Sequence, residues 1–260
     1  MKIFVIGTGN LSHSLVPALK NAGHTVSGVY SRTKENLKNF AEKFNVKAVF
    51  QKDEIPSDSD IYIICTADSG ISDSAKIFKT ENIVLHTSGS TDIEVLKRYF
   101  KKCGVIYPVQ TFTKTKTVDF SNVPLLIESS EDKTLEKIKI LAQSLSSNVR
   151  EMNSFQRLRL HLSAVFACNF SNNMLSVSKV LMQECGADFS LLKPLIKETF
   201  EKALNSDPIT SQSGPAKRND TAILNLHIKM LENYPVLKKI YSFVSLNIKE
   251  YDTFFKTNPL

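Results

Sequence analysis

Apolar residues along this chain fall into short, nearly unbroken runs separated by stretches with helical spacing. Lys2-Ile3-Phe4-Val5-Ile6 is the first run and Ile61-Tyr62-Ile63-Ile64-Cys65 the most strongly apolar. Thr25–Tyr30, Val46–Phe50, Ile83–His86 and Gly104–Tyr107 follow the same form. Runs of this length without polar alternation predict strands buried on both faces. Between them, Leu15, Val16, Ala18, Leu19 and Ala22 recur at helical intervals up to Gly23, and residues 34–44, 71–78 and 93–99 predict further helices. Repeated alternation of strand and helix implies a parallel, doubly wound α/β sheet with right-handed crossovers. Val123–Ile127 predicts an added edge strand.

From about Ser154 the pattern changes and no strand is evident. A long helix is predicted from Ser154 to Cys185, stopped by Gly186. A second runs from Asp188 to Asn205, with Pro194 kinking it unless that proline lies in the first turn. After the Pro/Gly/Ser-rich loop 207–215, two more helices complete an all-helical region. Two domains are expected, 1–150 and 151–260, with a hinge near Val149–Asn153.

The first turn carries chemistry. Strand 2–6 feeds Gly7-Thr8-Gly9-Asn10-Leu11-Ser12 at the mouth of a helix, the G-x-G-x-x-small fingerprint of a dinucleotide site. Gly7 permits the tight turn and Gly9 the approach of a pyrophosphate, which a helix N-terminus favours electrostatically. The first domain is therefore expected to be Rossmann-like. After the second strand, where NAD sites place a carboxylate for the ribose hydroxyls, this chain has Tyr30-Ser31-Arg32-Thr33-Lys34. Arg32 supplies a guanidinium, and Ser31 and Thr33 supply hydroxyls, for a 2′-phosphate, so the expected cofactor is NADP. Strand ends also place Thr66-Ala67-Asp68 and Thr87 beside it.

Composition narrows the partners. The 260 residues carry 33 Lys and Arg against 26 Asp and Glu, a net charge of +7. The cations are dispersed through predicted helices, which favours an anionic cofactor and substrate over nucleic acid. Cys65, Cys103, Cys168 and Cys185 lack C-x-x-C spacing and are expected as buried thiols of a reducing compartment, with no metal site. Met1 abuts the first strand and no apolar run reaches membrane length, so the expectation is cytoplasmic with no membrane partner.

Three clusters could act on a substrate. His86-Thr87-Ser88-Gly89-Ser90 and Tyr107-Pro108-Val109-Gln110-Thr111-Phe112 follow strands where a nicotinamide would lie. Either serine could instead cap the helix that begins after Asp92, Ser90 more readily than Ser88. On the long helix, Arg157, His161, Asn169 and Asn172 share a face among Ala164, Val165 and Ala167, which predict burial. His161 suits a general acid or base, with Ser88 and Asn169 orienting substrate; a histidine bonded across a helix bundle is the competing reading. Lys217 and Arg218 could hold an anion or decorate the loop that ends in Asn219-Asp220.

In order along the chain, the motifs Gly7-x-Gly9-Asn10, Tyr30-Ser31-Arg32, His86–Ser90, Tyr107-Pro108-x-Gln110-Thr111-Phe112, His161-Leu162-x-Ala164-Val165-Phe166-x-x-Asn169-Phe170, Pro194–Thr199 and Ser213-Gly214-Pro215-Ala216 resemble a bacterial family. That family joins an NADP-binding Rossmann-like domain to the helical domain DUF2520. More distantly the layout is similar to F420-dependent NADP reductases, pyrroline-5-carboxylate reductases, prephenate dehydrogenases and β-hydroxyacid dehydrogenases. The resemblance implies an oxidoreductase for a small carbonyl, imine or hydroxyacid, and a homodimer through the helical domain. The Lys and Asn of the β-hydroxyacid enzymes are replaced here by Arg157 and His161, and the His-Pro of the prephenate enzymes by Tyr107-Pro108. Since neither catalytic set is intact, a non-catalytic NADP sensor is the alternative.

Overall fold

The computed structural model describes the backbone of residues 1–257 and the side chains of residues 1–250. The last three residues of the expected helical domain, 258–260, lie outside the described residues. Contacts divide the chain into two compact units, Met1–Asn173 and a second beginning at Met174.

The first unit is built on strands β1 (Lys2–Ile6), β2 (Thr25–Tyr30), β3 (Ala48–Val49), β4 (Ile61–Ile64), β5 (Ile83–His86), β6 (Cys103–Pro108), β7 (Leu125–Ser129) and β8 (Val149–Glu151). The helices between them are α1 (Ser12–Asn21), α2 (Lys34–Phe44), α3 (Ile71–Ala75), α4 (Glu94–Lys97) and α5 (Asp132–Leu145). One eight-stranded sheet has the order β3-β2-β1-β4-β5-β6-β7-β8 and is parallel except where β6 meets β7. The first six strands form the doubly wound order, and its reversal point lies between β1 and β4.

Alternate side chains explain why these runs lack polar positions. Ile3 and Val5 of β1 and Ile61 and Ile63 of β4 join one core layer, while Phe4, Ile6, Tyr62 and Ile64 join the layer on the opposite face. Both faces are covered, so each residue of β4 is fully buried.

Two features differ from the expected pattern. The run 123–127 becomes β7, an internal strand antiparallel to β6, because β8 pairs beyond it through Leu125↔Val149 and Ile127↔Glu151. The segment read as a hinge thus contains a strand. Its half-exposed Val-Arg-Glu composition, ordinary for an edge, gives no apolar run to detect.

The long helix after Ser154 is present as α6 (Ser154–Ala164), a π-helical segment Val165–Phe170, and α7 (Ser171–Glu184), followed by Gly186 at φ +72°. Asn153 and Gln156 form a reciprocal capping box at its start. The chain continues as α8 (Lys193–Asn205), α9 (Thr221–Met230) and α10 (Pro235–Thr257). Pro194 lies in the first turn of α8, where its missing N–H costs no bond, so no kink forms. Within the second unit, Asp220 caps α9 through the Ile223 N–H, and Ala216 of the Ser213–Ala216 motif is buried beside a pocket lined by Met174, Ile240 and Val244.

The cysteine expectation holds for two residues only. Cys65 and Cys103 are buried in the sheet, whereas Cys168 and Cys185 are exposed. Ala164, Val165 and Ala167 are likewise not buried, because the π turn of this segment faces outward in the isolated chain.

Candidate active site

The Gly7 turn is set by local sterics. Its N–H donates to the Tyr30 carbonyl at 2.8 Å, its φ is +113°, and a Cβ there would lie 2.6 Å from the Cys65 carbonyl oxygen. Only glycine meets both conditions. Ser12, the small residue closing the fingerprint, is fully buried and donates its hydroxyl to the Gly7 carbonyl at 2.8 Å, which draws α1 onto the turn. Thr8 reaches across to Ser31, Oγ1 to Oγ, at 3.2 Å and ties the β1 turn to the end of β2.

Two clefts adjoin at the carboxyl ends of the strands. The first, about 250 Å³, is lined by Gly7, Thr8, Gly9, Ser31, Arg32 and Thr33, together with Thr66 and Ala67. The second, about 490 Å³, shares Gly9, Thr66 and Ala67 and adds Asn10, Leu11 and Thr87. All eleven residues expected to hold the cofactor therefore line one continuous groove. Asn36 and Lys114 also line the first cleft, and Tyr107, Gln110 and Phe112 the second.

The groove fits a nicotinamide dinucleotide. Among the described residues, Thr66 presents a buried Oγ1 with no protein partner at the junction of the two clefts, no carboxylate lines the first cleft, and Arg32 does. Cys65 lines both clefts, but burial pushes its thiol up to about 12, so it is no nucleophile at neutral pH.

Beside the second cleft, loop 87–92 meets α6. The Tyr107 hydroxyl and His161 Nδ1 are 3.3 Å apart, with their rings at 72°. Both pack on Gly89, where a Cβ would lie 2.7 Å from Tyr107 Cζ and 2.8 Å from His161 Nδ1. The pair can form only because residue 89 lacks a side chain. Burial first, then the Asp68 carboxylate, raises the Tyr107 pKa against the opposing Arg157 charge, so the phenol stays protonated.

The other expected site residues are distributed differently. Ser88 is buried, and its Oγ accepts the N–H groups of Ser90 at 3.1 Å and Thr91 at 2.9 Å, so this hydroxyl shapes the loop. Ser90 is exposed and donates to Asp68. Asn169 sits exposed in the π-helical segment, and among the described residues no contact joins it to His161.

Arg157, read as part of the functional stripe, is 1% exposed and structural. Its guanidinium pairs with Glu128 of β7 and donates to the Thr91 carbonyl at 2.6 Å. Ser154 joins the same carboxylate, its N–H at 3.0 Å and its hydroxyl at 2.8 Å. The first turn of α6 is thus anchored both to the sheet and to the loop that carries Gly89.

His86 closes the interior side of this loop. It is fully buried, accepts the Ser88 N–H at Nδ1 at 3.2 Å, and has its pKa lowered to about 3 by burial and then by Arg157. A histidine protonated near 6.5 when unfolded and near 3 when folded makes the unfolded state bind more protons between those values. Its stabilising neutrality is complete above pH 6.5 and is lost as pH falls, at up to about 1.4 kcal/mol per unit. His13 and His24 are lowered in the same direction, chiefly by burial, and add to this slope. Denaturant midpoints measured from pH 7 to 4 should fall steeply for the wild type and less steeply for His86→Asn. Equal slopes would remove His86 from the account.

The fold and groove define an α/β dinucleotide-binding protein with an appended helical region. The family described as NADP oxidoreductase, coenzyme F420-dependent, matches residues 2–87, and the domain of unknown function DUF2520 matches residues 123–248. A Bacteroides fragilis protein whose description proposes an NADP oxidoreductase is 34% identical, over 96% of this chain and 98% of that one, with a TM-score of 0.87. The chain belongs to that family, in which the coenzyme-binding domain is joined to DUF2520. The Thermotoga maritima protein TM1727 is 21% identical over 95% of this chain and 97% of its own, at a TM-score of 0.72. An imine reductase from Myxococcus stipitatus in complex with NADP+ shares the fold at 14% identity, covering 97% of this chain and 94% of its own, at 0.65. No curated protein matches the chain. Among the described residues, no helix is long and apolar enough to cross a membrane.

Proposed function

We propose that this protein is an NADP-dependent oxidoreductase acting on a small carbonyl, imine or hydroxyacid. The observation that carries this reading is the Tyr107–His161 pair at 3.3 Å beside the end of the groove that adjoins the fingerprint turn. NADPH, when bound, supplies the hydride. The chain's own residues supply position and protons. Arg32, Ser31 and Thr33 hold the 2′-phosphate, and the backbone of Gly9–Leu11 at the start of α1 faces the pyrophosphate. The Tyr107 hydroxyl, kept protonated by burial, holds His161 at Nδ1, so the imidazolium form can give its Nε2 proton and keep the Nδ1–H bonded to the Tyr107 oxygen. His161 acts as general acid toward a substrate oxygen or nitrogen, and as base in the reverse direction. Ser88 contributes through the loop that brings Gly89 against this pair.

A homodimer accompanies this reading. Phe155, Leu158, Leu162, Phe166 and Phe170 recur every three to four residues along α6 and the π turn, and each is 47–67% exposed. An apolar stripe of this length is an association surface, and a second copy of the same helix is its natural complement.

The test is calorimetric titration with NADPH and NADH, followed by NADPH oxidation against cyclic imines, keto acids and aldehydes. Sedimentation of the same samples reads the dimer. Tighter binding of NADPH, turnover of at least one class and a dimeric mass are expected. Binding without turnover favours the sensor alternative, and binding of neither nucleotide discards the proposal.

A further inference from the structure

The segment between β6 and β7 contains Thr113-Lys114-Thr115-Lys116-Thr117, a polar run with no part in the fingerprint. It is pinned on both sides. Before it, Phe112 stacks on Phe120 with ring centroids 5.7 Å apart and packs against the core. After it, the Val118 N–H donates to the buried Ser14 hydroxyl of α1 at 3.1 Å, and Val118 joins the same core layer. The segment therefore crosses the front of α1 as a strap with fixed shoulders. It contributes Gln110 and Phe112 to the second cleft and Lys114 to the first.

Lys114 and Arg32 both line the first cleft. A Cβ on Gly70 would lie 3.8 Å from Arg32 Nη2, and Arg32 helps hold the Asp73 carboxyl below its ordinary value, after the stronger effect of Lys76. Arg32 thus shares its charge with the α3 side of the groove. Lys114 approaches by the first turn of α1. His13 there donates its Nδ1–H to the Gly9 carbonyl at 3.0 Å, and the Lys43 and Lys114 ammonium groups add to burial in lowering its pKa. Among the described residues no carboxylate lies within ion-pair distance of Lys114. The same cleft is lined by Ser31, Thr33 and Asn36, neutral groups able to bond a phosphate.

We infer that Lys114 is a second cationic ligand for the 2′-phosphate of NADP, delivered by the β6–β7 strap and working with Arg32 in the same cleft. This rests on the NADP reading above and adds a specificity residue to it. A lysine serves here as a point charge on a doubly charged group, which needs no planar fork. Its contribution separates NADP from NAD because only the former carries that phosphate.

The experiment measures NADPH and NADH dissociation constants for the wild type, Lys114→Ala and Lys116→Ala by titration calorimetry. Lys114→Ala should weaken NADPH about tenfold, in line with loss of a charge-assisted phosphate contact, and leave NADH unchanged. Lys116→Ala, on the same strap but outside the cleft, should alter neither. Equal weakening of both nucleotides would assign Lys114 to the shared pyrophosphate and overturn the inference, as would an unaltered NADPH affinity. Those outcomes leave the NADP reading standing provided the wild type prefers NADPH. A wild type that binds neither nucleotide overturns both.

Discussion

Replacing His161 by alanine should reduce kcat by about 10²–10⁴-fold, the range over which a positioned general acid accelerates proton transfer. The NADPH dissociation constant should stay within about twofold, because His161 lies outside both cofactor clefts and a contact that is absent from the nucleotide carries none of its binding energy. Tyr107→Phe should give a smaller loss, since it removes the hydroxyl that fixes the imidazole tautomer and leaves the imidazole itself. The two variants together separate a proton-transfer role from packing. If His161 were only a bundle histidine, its removal would lower stability and leave turnover per folded molecule intact. Steady-state kinetics of the two variants, normalised to the NADPH-binding fraction, read the difference. Undiminished kcat in His161→Ala would return the residue to a structural role.

The second large effect concerns the clamp beneath that histidine. Arg157→Met leaves the Glu128 carboxylate, 14% exposed, without its cation and should cost about 3–5 kcal/mol, the usual result of breaking a buried pair on one side. Thermal unfolding of the wild type and variant measures it, with a fall of about 10 °C expected for a unit of this size. Adding Glu128→Leu removes the orphaned charge and should recover most of the loss, since a buried ion pair is often replaceable by apolar packing. Because Arg157 lies one turn before His161, the single variant should also lower kcat in the folded fraction. A single variant as stable as the wild type would show that the clamp contributes nothing.

Much of the first unit was legible because its elements are dictated locally. The apolar runs of β1, β4 and β5 are buried on both faces, so each residue reports its environment without help from distant segments. The fingerprint turn is similarly local: its two glycines and the cationic end of β2 line the groove, and the small Ser12 packs beneath the turn and bonds the Gly7 carbonyl. What escaped was set by partners far along the chain. Arg157 reads as one polar position on a helical face, yet its role comes from Glu128 and Thr91, 29 and 66 residues earlier. Neither serine of the 86–90 turn caps α4: Ser88 accepts the Ser90 and Thr91 N–H groups within the loop, and Ser90 donates to Asp68. Strand β8, three half-exposed residues at a sheet edge, carried no periodic signal at all.

The sequence by itself determined the doubly wound sheet, the helical remainder and the position of the cofactor turn. Hydrophobic period, glycine sterics and the absence of a carboxylate after β2 act over a few neighbouring residues. Only the tertiary structure decided which polar groups meet: His161 with Tyr107 over Gly89, Arg157 with Glu128, and Lys114 with the groove. Those encounters join segments tens of residues apart, and they depend on packing that brings one backbone within reach of another's side chain.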